Sequence, residues 1–478
     1  MEEKMQKTLA QRMEDHALEP VPEEYRRSWI QLSWSTVGIV TTLLQLYLGA
    51  FLSFTAGIKI ALAAGFLIAL IGSALGWAAG HIAFISGLSS SPMARHYGLG
   101  VKGSIIISAT FAFMLIGFIA AENVLLYNGF LFYAGIEDSL MTKAACFGAL
   151  TVAWISLTAF GFEQVSRVTS IMLLSFLGVL AYMLFAVVNT SGTPISEVLS
   201  FPSQFSSEAL ESMGAATDTA KLIFCMNVLA GTAGALALVD ADLGRYASTG
   251  KDIAIAAVLS NFMLSFFMIA VGAIIMYAGV PALIDYYVTV QGLSEVAARQ
   301  IAIENPDRIV AAFVIFGGAL GTLLMVAANS KAQVINTYSS SLALSNFFDV
   351  TFNWRPGRIV FVIGANITAL FFLSGEFLIW FKSFLVILGT LTASIATVIA
   401  ADYFIVRKIQ GSQQHKETVT ELWNWAGVLT VGLSFVLAHF ALVDLIKIEV
   451  LTAIATGLVV YPLLRLFVFE SQITAGGP

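Results

Sequence analysis

The chain has 478 residues, 58% of them hydrophobic and only 11% charged, with 36 phenylalanines and a formal charge of −6. An ordinary soluble domain carries roughly 25% charged residues, so a water-soluble fold is excluded. The long continuous apolar runs argue against a transmembrane barrel, whose strands alternate in segments of about ten residues.

What remains is an all-α, polytopic membrane protein. The net charge says little, because nearly all charges fall in loops, and no basic stripe suggests nucleic acid. Cys146 and Cys225 stand in or beside apolar runs, far from any CxxC or Cys/His spacing, which points to neither a disulfide framework nor a metal site. No cofactor motif is present.

Residues 1–29 are charged and lack an apolar h-region, so they are expected to form a cytoplasmic tail. Twelve apolar spans are then predicted, near 33–58, 61–86, 104–134, 144–161, 167–189, 221–246, 252–279, 309–345, 357–374, 378–405, 423–443 and 447–469, taking about 20 residues to cross the hydrocarbon. The third and eighth are over-long, which predicts a tilt, an end outside the membrane or an internal break. Residues 190–220 bear Ser, Thr and Pro, and SEVAARQIAIENPDRI within 280–308 suits an amphipathic surface helix.

Basic residues set the orientation. Lys4, Lys7, Arg12, Arg26 and Arg27 precede span one, Arg95 and Lys102 follow span two, and Arg167 precedes span five. Arg245 and Lys251 follow span six, Arg355 and Arg358 span eight, and Arg407, Lys408 and Lys416 span ten. With alternating spans these share one side, so the positive-inside rule places both termini in the cytoplasm of a plasma (inner) membrane protein.

Polar groups inside spans are expensive and mark cavities or partners. Span one carries Gly38, Thr41, Thr42 and Gln45; span three Glu122 and Asn123; span eight Asn329, Lys331, Gln333 and Asn336; span six Asp240 and Asp242 near its cytoplasmic end. Gly231-Thr232-Ala233-Gly234 in mid-span six either breaks that helix around a cavity or lets a neighbouring helix approach closely. Glu122 and Lys331 either pair as buried ions or line a path. Asp242 and Arg245, three apart, make a local pair or a cytoplasmic gate. His81 reads as an interfacial histidine rather than a proton carrier, and Glu376 and Lys382 as outer-interface residues.

Four stretches in register carry a resemblance: SGLSSSPMARHYGLGVKGS between spans two and three, VDADLGRYAS ending span six, NTYSSSLALSN ending span eight and IAADYFIVRK ending span ten. Together they resemble the nucleobase–cation symporters, which include cytosine and purine permeases and the hydantoin transporter, over roughly residues 20–465. The resemblance implies two inverted five-helix repeats (about 30–189 and 221–405) in a ten-helix core of 30–405, broken helices one and six, and two peripheral helices in 406–470. It implies alternating access and helix ten, from about Phe377–Ile387, as a gate. By position it implies substrate contacts at Gly38, Thr42, Leu115, Phe118, Glu122, Gly231, Thr232, Ala233, Ala235 and Asn336.

The departures matter as much. The family's base-reading glutamine falls on Leu115 and its span-six aromatic on Ala233, so cytosine itself is disfavoured. Its sodium site, between spans one and eight, corresponds to Gly38, Thr41, Thr42, Ala328, Lys331 and Ala332. Lysine offers only donors and its own charge, so it would replace the ion, leaving a sodium-independent carrier with protons as the alternative coupling ion. The expected function is a permease importing a nucleobase-like nitrogen heterocycle. A carrier of a cationic amine or vitamin precursor, and a non-transporting sensor on the same fold, stand as alternatives. An enzyme is not expected, since no HExxH, paired catalytic carboxylates or nucleophile elbow is present.

Overall fold

A computed structural model describes residues 16–159, 162–305, 308–372, 377–412 and 421–469. Glu376 and Lys416 lie outside the described residues. Among the described residues, each of the twelve predicted stretches contains helix. Span one is two helices, α1 (Trp29–Val40) and α2 (Leu43–Ala56), followed by α3 (Ile58–Ser86), a short α4 (Ser90–His96) and α5 (Ser104–Ala134). Next come α6 (Leu140–Thr158), α7 (Phe162–Thr190), α8 (Asp218–Gly244), α9 (Gly250–Phe262) and α10 (Met268–Thr289), the last two joined through a wide turn at Met263–Phe267. Then follow α11 (Glu295–Glu304), α12 (Ile309–Gly317), α13 (Ala319–Phe352), α14 (Arg358–Leu370), α15 (Phe377–Ala401), α16 (Trp425–Val436) and α17 (Glu449–Phe467).

Local chemistry sets the boundaries. Thr217 caps α8 by accepting from the Ala220 amide, and Thr249 and Asp252 form a reciprocal capping box on α9. Glycines at positive φ end α3 and α5, Gly87 at 72° and Gly135 at 62°. The over-long third span is one continuous helix of 31 residues, whereas the eighth is interrupted at Gly318, whose φ of 50° and ψ of −123° suit only glycine. The segment foreseen as an amphipathic surface helix is α11.

Among the described residues, eight helices are long and apolar enough to cross a membrane, or nine if the bent α1–α2 pair is one span. That is fewer than twelve for physical reasons. Polar residues dilute α13. The helices Arg358–Leu370 and Trp425–Ala441 are short, at 10–17 residues, where about 20 are needed. Phe66, Leu70, Ile171, Leu174 and Phe185 are exposed on the outside, as a lipid-facing wall requires.

Two packed groups emerge. Helix α8 runs along α3, while α9 and α10 cover α1 and α2; α13 runs along α5 and is flanked by α6, α7 and α14. Helix α15 packs on α8 and on the last helix, α17.

Candidate functional site at the broken first span

The first span breaks between Val40 and Leu43 with a bend of 59°. A break exposes two sets of unpaired backbone groups: carbonyls at the end of α1, with partial negative charge, and amides at the start of α2, with partial positive charge. Each set faces a side chain of opposite charge from the other packed group.

At the carbonyl end stands Lys331 of α13, wholly buried. Its Nζ donates to Thr41 Oγ1 at 2.6 Å and lies 3.6 Å from the centre of the Phe176 ring. Thr41 Oγ1 in turn donates toward the Val37 and Gly38 carbonyls, each at 3.1 Å. The amino group thus reaches the helix end through one hydroxyl and rests on an aromatic face.

At the amide end stands Glu122 of α5, 1% exposed. Its Oε1 accepts from the Leu44 amide at 3.2 Å, so the carboxylate caps α2 together with Thr42, whose Oγ1 accepts from the Gln45 amide at 3.1 Å. Asn329 of α13 donates to the Glu122 carbonyl and more weakly, at 3.5 Å, to Oε2. Glu122 and Lys331 therefore do not pair with each other, and each serves one side of the break.

Between these ends lies a cavity of about 50 Å³, lined among others by Thr42, Gln45, Leu115, Phe118, Glu122, Thr232, Ala235, Ala332 and Asn336. Eight expected site residues, all but Gln45 in that group, are thus brought together. Phe118 also contacts Phe381 and Phe384 of α15, with ring centroids at 6.2 and 6.4 Å. Gln45, absent from the expected substrate contacts, adds an Oε1 that is buried without a hydrogen-bond partner. Its position three residues past a Thr pair in an interrupted helix is the signal that marks it. Phe176 had no such signal, because nothing local distinguishes it from other core phenylalanines.

Other expected contacts lie elsewhere. A Cβ on Gly38 would stand 2.4 Å from Thr169 Cγ2 of α7, and one on Gly231 would stand 2.5 Å from the Leu385 carbonyl of α15. Ala233 sits against Gly72 of α3. Ala328 is wholly buried one turn before Lys331. The expected break in span six is corrected: α8 runs uninterrupted from Asp218 to Gly244. Its glycines serve close approach, Gly231 meeting Gly389 and Leu385 and Gly234 meeting Thr392, which is the helix-packing alternative.

The four sequence motifs converge elsewhere, in a collar at the end where residues 16–28 lie. Arg245 donates to the His16 carbonyl and the Tyr338 hydroxyl, both at 2.8 Å, and Asp242 Oδ1 accepts from the Ser90 amide at 2.8 Å. Arg95 pairs with Asp349 at 2.7 Å, and Arg407 with Asp402 at 2.9 Å, where the Tyr461 hydroxyl also donates to Asp402. Arg358 reaches the Thr158 and Ala159 carbonyls at 3.2 Å. The segment before α1 straps this collar. Arg26 donates to the carbonyls of Phe84 and Arg245, Val21 bonds Gly87, and Arg27 bridges to Ala247. At the opposite end a second cavity, of about 370 Å³, lies beside Lys382, His439 and Glu449.

No family model and no curated protein matches the sequence. Among solved structures, a nucleobase-cation-symport-1 family transporter in a closed conformation with bromovinylhydantoin bound aligns with a TM-score of 0.67 at 14% identity, covering 96% of this chain and 98% of that one. The same transporter facing inward gives 0.61 at 14% identity, over 91% of each chain. A substrate-bound, outward-open Na+-coupled sialic acid symporter gives 0.56 at 15% identity, over 92% of this chain and 90% of that one. The family read in the four motifs is therefore met again among the structural neighbours. All three structures are of transporters rather than enzymes, and the chain shares their fold over nearly its whole length.

Proposed function

We propose that the chain is a secondary transporter that imports a small, nucleobase-like nitrogen heterocycle by alternating access, without sodium. The observation that carries the sodium-independent part is the Lys331 ammonium 2.6 Å from Thr41 Oγ1 at the broken end of α1. When protonated, Lys331 is a cation tethered to the chain and meets the charge requirement that a bound ion would otherwise meet. The substrate class is supported by a mostly apolar cavity with few polar positions. Among them the orphan Gln45 Oε1 asks for an N–H donor. At about 50 Å³ the cavity holds a few waters, too little for a heterocycle, so binding goes with movement of its walls. In this reading twelve spans form two inverted repeats and a peripheral pair, the collar faces the cytoplasm, and α1–α3 with α8–α10 rock against α5–α7 with α13–α14.

The test is uptake into proteoliposomes of nucleobases, hydantoins and small amines, with sodium or potassium outside. Equal uptake of a heterocycle in both salts is expected, and a strict sodium requirement would overturn the reading. A second reading, a cationic amine as cargo, is favoured by Glu122 lining the cavity. Competition by amines but not by neutral heterocycles would select it.

A further inference from the structure

One carboxyl group in the interior takes no part in this site. Asp240 of α8 is wholly buried where α8 meets α3 and α9. Its Oδ2 receives the Asn261 amide at a long 3.4 Å, and Ser260 is the other group within reach. Both donors have nearer business: Asn261 Nδ2 and Ser260 Oγ bond the Ala257 carbonyl at 2.9 and 3.1 Å. Asp240 Oδ1 and Asn261 Oδ1 are buried with no partner at all. The cluster is short of donors and rich in acceptors.

The facing wall is glycine. A Cβ on Gly76 would stand 2.1 Å from Asp240 Oδ2, and one on Gly72 would stand 2.1 Å from Asn261 Oδ1. No charged group among the described residues offsets the carboxyl. On α3, His81 turns to Trp77 and Phe404; on α9, Asp252 bonds Thr249 and the Trp29 amide; on α8 itself, Asp242 faces the Ser90 amide. An ionised carboxylate so placed is strongly unfavourable. A metal ion would need several oxygens around it and space to stand in, and the glycine backbone fills that space. A proton needs none.

We propose that Asp240 is a proton-binding site: in this conformation its carboxyl takes up one proton from water and becomes the O–H donor that the Asp240–Asn261 pair lacks. No other bond forms or breaks, and the proton returns to water whenever the carboxyl is hydrated. Its role in driving uptake rests on the transporter reading; the protonation itself does not.

The experiment is infrared spectroscopy of the full chain in lipid across acid, neutral and alkaline pH, on wild type, Asp240→Asn and Glu122→Gln. A protonated-carboxyl carbonyl band is expected at neutral pH in wild type, persisting in Glu122→Gln and losing intensity in Asp240→Asn. Labelling with carboxyl-13C aspartate should shift that band in wild type and equally in Asp242→Asn, which keeps the test alive if Asp240→Asn fails to fold. No band at neutral pH, a band indifferent to aspartate labelling, or a band abolished by added sodium would each overturn the proposal. In parallel, the pH dependence of uptake should flatten in Asp240→Asn while substrate exchange persists. If the band is present and no substrate is moved by wild type, the transporter reading fails and the proton site stands.

Discussion

The broken first span and the collar solve opposite problems with different numbers of charges. The collar gathers Arg26, Arg95, Arg245, Arg358 and Arg407 on carbonyls, hydroxyls and acids from many elements, so its strength is spread and redundant. The break uses one lysine and one glutamate, one at each helix end, each helped by a threonine of the break. Spread bonding holds a shape, whereas a few local contacts leave a region free to change state. Resemblance therefore concentrates in the collar and departure at the break. A fold-holding region constrains residue identity over many positions, while a ligand-facing region is retuned by one.

The largest effect that would break this contrast is at Lys331. In Lys331→Ala uptake should fall roughly a hundredfold, equivalent to about 3 kcal/mol, with little change in unfolding temperature. A large thermal loss with uptake intact would make the residue structural. Arg245→Gln should do the reverse, lowering stability by about 2 kcal/mol as the His16 carbonyl and Tyr338 hydroxyl lose a charged donor, seen as a lower melting temperature by fluorescence. Thr41→Val removes only the relay hydroxyl and should weaken uptake by about 1 kcal/mol, several-fold, with Thr41→Ser restoring it. The smallest change is expected from Glu122→Gln, which keeps the cap's shape and loses its charge. About 0.5 kcal/mol of stability should go, with affinity for a neutral heterocycle, measured by scintillation proximity, unaltered.

Much of the fold was legible because hydropathy is a one-dimensional signal. The third span's bounds, 104–134, coincide with α5, and the Thr41–Thr42 interruption falls where the helix breaks. Span six misled because glycine has two uses. Gly231 and Gly234 weaken a helix in isolation, yet here they let α15 come within backbone contact, and only the neighbour's position decides between the two. Glu122 was read as a substrate-face acid or a partner for Lys331. That it caps α2 depends on a backbone amide 78 residues away, which no local pattern announces. Phe176 under Lys331 was hidden for the same reason.

The strap ahead of α1 carries a practical consequence. Because Val21, Arg26 and Arg27 are stitched to Gly87, Arg245 and Ala247, the leading segment behaves as a buckle rather than a loose end. A protease cut or an affinity tag placed between Val21 and Trp29 would unfasten it. An insertion there offers a way to prop that end of the molecule open without touching a single residue that borders the cavity.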